Sequence, residues 1–490
     1  MTETPADPKP SAPKTEALPG GAWGGDAPDE PETGLDAVKT ALSERFGDRF
    51  TVNETMRRQH GHTLTWTPTE APDAVVFPRT TEEVAEIVKL CAEYHAPMIP
   101  FGAGTSLEGH VNAPRGGVCI DLSQMKRIIA VNEQDLDCVV EAGVTRKELN
   151  DALRHTGLFF PIDPGADASL GGMTSTRASG TNAVRYGTMK ENVLALKVVT
   201  PKGEIMHTAR RAKKSSAGYD LTRLFVGAEG TLGVITEITL RLYGLPETIT
   251  AGVCPFPTVK AACDATILTI QSGIPVARIE ILDALSVKAV NLHSNLGLPE
   301  TSMLLVEFHG TETGAKEQAE RFGEIAAELG GGPFTWATKP EERTKLWQAR
   351  HDAYWACFTL RPGAKALATD ICVPISRLAE CVSETQLDLT SSRLLGPIVG
   401  HVGDGNFHVN LLLDMNDADE LDRARGFLDR LVARGLSMDG TCTGEHGVGQ
   451  AKMKYMAAEH DPAALAMMRT LKKALDPDGI MNPGKIVDVD

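Results

Sequence analysis

The feature that most constrains the fold of this 490-residue chain is an alternation of strand and helix patterns interrupted by two segments of small residues. The first segment, residues 102–106 (GAGTS), follows a predicted short strand at 96–100. The second, residues 169–180, combines glycines with serine and threonine hydroxyls and contains few large side chains. Small residues leave backbone N–H groups open to a phosphate, a use that packed cores seldom need. Two such loops indicate a groove for a long, phosphate-bearing ligand.

The first of these loops does not fit the dinucleotide fingerprint of a doubly wound sheet. That fingerprint requires a third glycine at position 107, where this chain has Leu107. A helix should also follow the loop, but the next regular pattern is another strand at 118–122. Considered alone, the loop is compatible with either an ordinary tight turn or a phosphate-binding turn.

Local patterns define the elements around these loops. Apolar residues at helical spacing follow Thr81, and Thr145 with Glu148 forms a capping box that starts a helix through His155. Apolar runs predict strands at 137–141, 194–200 and 234–242. Past Pro246 the pattern changes to longer helices and separated strands. We therefore predict a disordered tail at 1–34, a first domain at 35–246 and a second domain at 247–490.

Composition excludes several classes of partner. The 49 lysines and arginines against 65 aspartates and glutamates give a net charge of −16, which would repel a nucleic-acid backbone. No stretch approaches the roughly 18 consecutive apolar residues that a transmembrane helix needs. The nine cysteines include no C-x-x-C pair, so we expect reduced, buried thiols. Because no export signature occurs and no arginine precedes Arg45, we expect a cytoplasmic location, or a peripheral one at the inner membrane face.

The strongest signal for chemistry lies in residues 399–410 (VGHVGDGNFHVN), where a Gly-Asp-Gly-Asn turn separates two apolar runs. This pattern predicts a hairpin, and a turn at 403–406 would place His401 directly opposite His408. Opposed residues hold their Cβ atoms about 4.5–5.5 Å apart, close enough for two imidazoles to share one divalent cation. Asn410 would point to the same face. Two cross-strand histidines hydrogen-bonded in a polar patch remain the alternative.

A third metal ligand could come from residues 443–449 (TGEHGVG), where Glu445 and His446 are adjacent on a glycine-bounded loop. Adjacent side chains on such a loop point in different directions, so one can coordinate a metal while the other faces a substrate. Two histidines and one carboxylate leave coordination positions open for a ligand oxygen, and they suit zinc, manganese or iron. The same donors would serve a metal-dependent hydrolase, which stays open as an alternative function.

Three segments, 100–109, 164–187 and 227–236, resemble in order the flavin-binding segments of the vanillyl-alcohol-oxidase/PCMH superfamily. The resemblance implies a PCMH-type FAD-binding domain in which two α+β subdomains hold FAD. Members with covalent flavin often carry a histidine where this chain has Thr105, so we expect non-covalent FAD, with His110 as the nearest histidine. The residues implied for FAD binding are Gly102, Ala103, Gly104, Thr105, Ser106, Pro164, Ser169, Gly171, Gly172, Thr174, Ser175, Ser179, Gly180, Tyr186, Glu229, Gly230, Val234, Ile235 and Asn482.

The histidine hairpin and the Glu-His loop resemble those of the FAD-linked D-2-hydroxyacid dehydrogenases. The resemblance implies that the metal ligands are His401, His408 and Glu445 and that His446 is the active-site base. Residues 347–374 look closest to the cytochrome-type D-lactate dehydrogenase branch, because Tyr354 stands where the hydroxyglutarate branch has a threonine. The substrate-binding residues that we expect are Arg350, Lys365 and Asn410.

Taken together, the resemblance implies oxidation of a D-lactate-like 2-hydroxy acid by hydride transfer to flavin N5, assisted by a divalent metal. No C-x-x-C-H haem motif occurs, so electrons would leave to an external cytochrome, quinone or electron-transfer flavoprotein. The alternatives within this fold are a glycolate oxidase flavin subunit, a D-2-hydroxyglutarate dehydrogenase, a non-catalytic flavin-binding subunit and an alkyl-dihydroxyacetone-phosphate synthase-like transferase. We also expect an α+β substrate/cap domain whose C-terminal segment returns to the flavin, and we consider a homodimer.

Overall fold

The computed structural model describes residues 34–62, 65, 67–337 and 339–489. The predicted disordered tail lies outside these residues except for Gly34, which begins the first helix. The described residues form several helices and four sheets, which confirms the predicted α+β class. None of the described helices combines the length and the hydropathy needed to cross a bilayer.

The α-helices of the described residues are α1 (Gly34–Phe46), α2 (Glu54–His60), α3 (Thr81–Glu93), α4 (Arg146–Ala152), α5 (Leu170–Thr176), α6 (Ala183–Tyr186), α7 (Met189–Asn192), α8 (Leu221–Phe225), α9 (Val259–Gln271), α10 (Ala284–Ser294), α11 (Glu312–Glu328), α12 (Pro340–His351), α13 (Ala353–Ala356), α14 (Leu378–Ser392), α15 (Ala418–Ser437), α16 (Met456–Glu459) and α17 (Pro462–Leu475).

The strands of the described residues are β1 (Phe50–Thr51), β2 (Ala74–Val76), β3 (Met98–Phe101), β4 (Val118–Asp121), β5 (Ile128–Asn132), β6 (Asp137–Glu141), β7 (Leu158–Phe159), β8 (Val193–Val199), β9 (Ile205–His207), β10 (Val234–Arg241), β11 (Tyr243–Gly244), β12 (Thr248–Phe256), β13 (Val276–Leu282), β14 (Ser302–Gly310), β15 (Thr335–Ala337), β16 (Lys365–Ala368), β17 (Ile371–Cys372), β18 (Ile398–Gly400) and β19 (Asn406–Leu413).

Side-chain caps and apolar spacing explain the predicted elements that appear. Thr145 accepts a hydrogen bond from the Glu148 amide while the Glu148 side chain accepts one from the Thr145 amide, so the predicted capping box of α4 is confirmed. Strand β6 spans the predicted residues 137–141, whereas β3 begins two residues later than the predicted 96–100. The nine cysteines, all among the described residues, are free, and eight of them are buried.

The first half of the chain builds two sheets around one hydrophobic core. A four-stranded sheet has the order β1-β2-β4-β3, and a five-stranded sheet has the order β5-β6-β10-β8-β9. Their shared core runs from Val38 to Leu242 and also contains Ile480 and Met481. This C-terminal segment joins the first core because the Met98 amide donates to the Ile480 carbonyl at 2.7 Å.

The second half builds an eight-stranded sheet whose main path is β15-β12-β14-β13-β18-β19-β16, with β17 paired to β19. Apolar faces of α9, α11, α14 and α15 cover this sheet and form a second core, which runs from Cys254 to Cys442. Each helix buries one stripe while its opposite face meets solvent, the usual pattern for a helix on a sheet. The predicted domain boundary at residue 246 stays a prediction.

Candidate active site

A cleft opens between the two cores, and both small-residue loops line it. Residues 102–107 approach residues 168–172 so closely that a Cβ at Gly102 would collide with the Ser169 hydroxyl oxygen. A Cβ at Gly171 would come within 2.7 Å of the Ala142 Cβ. The space between the lining atoms totals about 2000 Å³, including the open mouth. Glycine is therefore required here for the loops to meet and leave this space free.

Most of the residues predicted for FAD binding line this cleft. Those that do so are Gly102, Ala103, Gly104, Thr105, Ser106, Pro164, Ser169, Gly171, Gly172, Ser175, Ser179, Glu229, Gly230, Ile235 and Asn482. Most of them carry a small side chain, the exceptions being Glu229, Ile235 and Asn482. Their FAD-binding roles stay a proposal.

Four other residues predicted for FAD binding lie outside the cleft lining. Thr174 is fully buried and its hydroxyl donates to the Leu170 carbonyl at 2.7 Å. Gly180 packs behind the lining, where a Cβ would come within 2.6 Å of the Asp163 backbone. The remaining two face other parts of the molecule: the side chain of Val234 is fully buried in the first core, and the Tyr186 hydroxyl shares a 2.8 Å hydrogen bond with His309 Nδ1. The sequence pattern placed these residues in the right segments but could not resolve which side chains face the cleft.

Several buried polar atoms of the cleft have no protein partner among the described residues. They include Ser106 Oγ, Asn482 Oδ1 and Nδ1 of His110, whereas Nε2 of His110 lies 3.3 Å from Glu229 Oε2. The Asn482 amide nitrogen, by contrast, donates to the His110 and Glu229 carbonyls, at 3.1 and 2.7 Å. Because buried polar groups are normally hydrogen-bonded, these atoms fit a polar ligand that fills the cleft.

The histidine hairpin forms, but with a register that differs from the predicted one. Val399, rather than His401, is the partner of His408, because residues 402–404 form a 3₁₀ turn and His401 has already left strand β18. The prediction of directly opposed histidines was therefore wrong. The turn nevertheless returns the His401 ring to the same side, where the two ring centroids lie 5.6 Å apart.

Both imidazoles point the same nitrogen at one carboxylate. His401 Nε2 lies 3.1 Å and His408 Nε2 lies 3.2 Å from Glu445 Oε1. The opposite nitrogens have acceptors of their own, because His401 Nδ1 faces Glu280 Oε1 at 2.8 Å and His408 Nδ1 faces the Thr369 carbonyl at 2.9 Å. These acceptors favour a proton on Nδ1 of each ring, so Nε2 is the nitrogen of each ring that is directed at Glu445.

The electrostatics of this cluster favour positive charge between its carboxylates. Burial lowers the pKa of His401, but Glu280 and Glu445 outweigh it and hold that pKa well above its ordinary value. Burial raises the pKa of Glu445, but His401 and His408 outweigh it and hold that pKa well below its ordinary value. One ligand atom from each of these two histidines and Glu445 lies within 4.8 Å of the others. Two imidazoles and a carboxylate in this arrangement fit a divalent transition metal.

His446 lies against the same cluster but faces a different set of groups. Its ring stacks on His408 with a centroid distance of 5.0 Å, and its Nδ1 lies 3.4 Å from Glu108 Oε1. The pKa of His446 is raised above its ordinary value because the charges of Asp370 and Glu108 outweigh the lowering effect of burial. Lys452 Nζ is 3.2 Å from Glu108 Oε1 and completes this buried group. A histidine in such surroundings can hold a proton at the cleft surface.

The predicted substrate-binding residues separate into two groups. Arg350 and Asn410 are buried and line the cleft. Lys365 does not, because it is the exposed first residue of β16, paired with Leu413, whereas Ala368 at the other end of this strand lines the cleft. The structure therefore does not support Lys365 as a substrate ligand.

Sequence reasoning missed the carboxylates that hold the site in place. Asp370 accepts hydrogen bonds from the Glu445 and His446 amides, at 2.9 Å each, and Glu280 contacts His401 and Arg350. Glu280 belongs to no motif, and each carboxylate is far in sequence from the residues it holds. Asp370 lies in the segment TDICVP, which resembles the D-lactate dehydrogenase branch, and this resemblance could have identified it.

Two protein families match most of the chain. Residues 72–209 match the FAD binding domain family, and residues 245–486 match the family described as FAD linked oxidases, C-terminal domain. The chain belongs to the FAD-linked oxidase family. It therefore carries an FAD-binding domain, and the prediction of FAD as its cofactor is confirmed.

Individual similar proteins refine this assignment. The probable D-lactate dehydrogenase, mitochondrial, of Danio rerio is 51% identical over 465 residues, which cover 92% of this chain and 94% of that protein. The D-lactate dehydrogenase (cytochrome), mitochondrial, of Arabidopsis thaliana is 51% identical over 416 residues, or 85% of this chain and 73% of that protein. The solved structure of p-cresol methylhydroxylase with substrate bound shares only the fold, with a TM-score of 0.78 at 17% identity, covering 94% of this chain and 98% of that one. These findings confirm the predicted resemblance to FAD-linked D-2-hydroxyacid dehydrogenases.

The same names contradict the predicted cytoplasmic location. Both D-lactate dehydrogenase relatives are named as mitochondrial proteins, so the prediction is wrong. It rested on the absence of arginine before Arg45, a compositional signal taken largely from residues outside those that the structure describes. Composition of a terminal segment is a weak guide to compartment, because organellar targeting depends on recognition by a receptor.

Proposed function

We propose that this protein oxidises a D-lactate-like 2-hydroxy acid to the 2-oxo acid, using non-covalent FAD and a divalent metal ion. The observation that carries the proposal is that His401, His408, Glu445 and His446 line the same cleft as both small-residue loops. A metal-binding cluster and a candidate base are thus adjacent to the segments that match the FAD-binding family. The names of the relatives from Danio rerio and Arabidopsis thaliana support D-lactate as the substrate.

The donor set supports the metal. With their Nδ1 protons directed to Glu280 and Thr369, His401 and His408 in their neutral forms would present two lone pairs to the Glu445 carboxylate, an arrangement that is repulsive unless a proton or a cation intervenes. A divalent cation held by these three side chains would lower the pKa of a substrate hydroxyl near it. Imidazole and carboxylate ligands suit zinc, manganese or iron.

The remaining residues each have a separate role in this proposal. His446 takes the hydroxyl proton as general base, and the charges of Asp370 and Glu108, which raise its pKa, stabilise the imidazolium that forms. Arg350 holds the substrate carboxylate, for which the planar guanidinium is suited. Bound FAD supplies the acceptor for the Cα hydride at its N5 position, and Asn482 and the small-residue loops hold the cofactor.

The lining of the cleft favours a monocarboxylic substrate over a dicarboxylic one. A second carboxylate such as that of hydroxyglutarate would need a second cation in the cleft, but among the described lining residues Arg350 is the sole lysine or arginine. Tyr354, Trp355, Ala368 and Val399 provide mainly apolar surface instead. This arrangement suits the small apolar side chain of a lactate-like acid.

Electrons must then leave the reduced flavin to an external acceptor. The name of the relative from Arabidopsis thaliana supports a cytochrome in this role. A quinone or an electron-transfer flavoprotein would serve the same chemistry, and a homodimer is compatible with it.

Anaerobic flavin reduction by a panel of D- and L-2-hydroxy acids, with and without a chelator, tests the proposal. We expect D-lactate to bleach the flavin, chelation to abolish this reversibly, and His446→Ala to retain FAD while the reduction rate falls at least about 10²-fold. The control is His293→Ala, which changes an exposed histidine of α10 outside the cleft. A metal-free protein reduced at the full rate would refute the metal, and near-normal reduction of His446→Ala would refute its role as base. Absence of flavin reduction would leave the transferase and non-catalytic alternatives.

A further inference from the structure

Glu280 is a buried carboxylate of β13 that contacts two different parts of the proposed site. One oxygen, Oε1, lies 2.8 Å from Nδ1 of His401, and the other, Oε2, lies 2.6 Å from Nη2 of Arg350. The side chain is 1% exposed, so both contacts are shielded from water. Building on the proposed function, we propose that Glu280 is a positioning residue that holds the metal ligand His401 and the substrate-binding Arg350 in fixed relation to each other.

The contact with His401 selects the nitrogen available to a metal. A carboxylate that accepts the Nδ1 proton fixes the neutral tautomer and turns the Nε2 lone pair towards Glu445. The backbone carbonyl of Thr369 accepts from Nδ1 of His408 and orients that ring in the same way. His401 has no such backbone acceptor in its described contacts and lies between the end of β18 and a 3₁₀ turn rather than within a strand. The orientation of the His401 ring therefore depends on the Glu280 side chain, whereas a backbone carbonyl orients the His408 ring.

The contact with Arg350 is a buried ion pair that holds one end of the guanidinium. With Nη2 held by Glu280, Arg350 keeps its buried Nε without a partner among the described residues. An unpartnered buried donor on a cleft-lining arginine is available to a substrate carboxylate. Because α12 carries Arg350, β13 carries Glu280 and His401 directly follows β18, the carboxylate joins three elements of the second half of the chain at one point.

This shared contact predicts that one substitution weakens metal binding and substrate binding together. Glu280→Gln keeps the shape and one acceptor oxygen but removes the charge and turns an amide group towards either Arg350 or His401. We expect the affinity for Mn²⁺ to fall about 10–100-fold, the usual effect of losing a carboxylate behind a metal-binding histidine. We also expect KM for D-lactate to rise, whereas a purely structural role would leave both quantities unchanged in the folded protein.

The experiment titrates the chelator-treated, FAD-containing protein with Mn²⁺ by calorimetry and then measures KM for D-lactate. The matched control is Glu141→Gln, since Glu141 is also 1% exposed and accepts hydrogen bonds from Arg127, but it does not line the cleft. Glu280→Asp, which retains the charge but is one methylene too short to span both contacts, provides a second variant should the glutamine variant not fold. We expect it to bind Mn²⁺ more weakly than the unmodified protein.

Two results would overturn the inference in distinguishable ways. If the unmodified protein binds Mn²⁺ and Glu280→Gln or Glu280→Asp binds it equally tightly with an unchanged KM, Glu280 has no positioning role and the proposed function stands. If the unmodified protein binds no Mn²⁺ and is insensitive to the chelator, both the metal-dependent function and this inference are wrong.

Discussion

Substitution of Asp370 should release the loop that carries both Glu445 and His446. Asp370 is 2% exposed, and its Oδ2 accepts hydrogen bonds from the Glu445 and His446 amides and from the Thr443 hydroxyl, at 2.9, 2.9 and 2.8 Å. Its Oδ1 accepts one from Asn406 at 2.8 Å. In Asp370→Asn one oxygen remains, so the amide group must face either the loop donors or the Asn406 donor.

The hydrogen bonds of Asp370 allow an estimate of the free energy by which the substitution favours opening of the loop. The less damaging orientation keeps the oxygen towards the loop and leaves the Asn406 donor facing another donor, which costs about 1–3 kcal/mol for an unsatisfied buried group. The three loop hydrogen bonds also change from charge-assisted to neutral, with a loss of up to about 1 kcal/mol each. The substitution avoids the burial of a charged carboxylate but also removes the negative charge that faces Lys452 and His446, so we expect the loop to open more easily by about 2–4 kcal/mol. That corresponds to roughly 30–700-fold in the opening equilibrium.

Hydrogen exchange measured by mass spectrometry tests this estimate at the loop itself. We expect a peptide covering 443–447 to exchange faster in Asp370→Asn, and a peptide covering β10 to be unchanged, because local opening governs exchange of such amides. The control variant is Asp388→Asn, which alters another buried carboxylate, hydrogen-bonded by Arg430 and Arg434 outside the cleft. Equal exchange of 443–447 in the unmodified and Asp370→Asn proteins would refute the argument that Asp370 holds the loop.

Two further predictions concern the C-terminal segment. Asn482→Ala should lower FAD affinity at least about tenfold in an equilibrium FAD titration, because it leaves the His110 and Glu229 carbonyls without their donor; unchanged affinity would exclude a role in holding FAD. Burial lowers the pKa of Lys485 from 10.5 to about 8 against the opposing effect of Glu70 and Glu229, so the folded protein binds fewer protons than the unfolded chain between these values. Burial of the charged lysine therefore destabilises the folded protein fully below pH 8, and this destabilisation disappears as the pH rises to 10.5. In thermal unfolding, the unmodified protein should gain stability relative to Lys485→Met from pH 8 to 10.5. Parallel pH profiles of the two proteins would contradict this.

The elements that the sequence predicted correctly are those determined by neighbouring residues. The capping box at Thr145 and the strand at 137–141 appear because hydrogen bonds and apolar spacing within a few residues suffice to define them. The two small-residue loops were also recognisable, since glycine and serine cluster there for steric reasons that leave a trace in composition. Membership of the FAD-linked oxidase family agrees with the resemblance that these motifs carried.

The errors arose where geometry depends on residues distant in sequence. The turn length that decides whether His401 pairs with His408 is set by a 3₁₀ turn at 402–404, which a count of turn residues did not reveal. Lys365 was assigned through resemblance, but its position at the exposed start of β16 depends on the pairing of that strand with β19. Glu280 carries no local signal at all, because a glutamate in an apolar strand becomes informative only when its partners are known.

The loop with Glu445 and His446 is held from both sides of the cleft, and this determines how the site can work. Asp370, beside the second core, accepts hydrogen bonds from the Glu445 and His446 amides. Glu229, which lines the cleft beside the first core, accepts hydrogen bonds from the Val448 and Gly449 amides, at 2.7 and 2.8 Å. A shift of one core relative to the other would therefore pull on the same seven-residue segment at both ends. Proton transfer requires placement within hydrogen-bond reach, so the position of the candidate base depends on contacts to both cores.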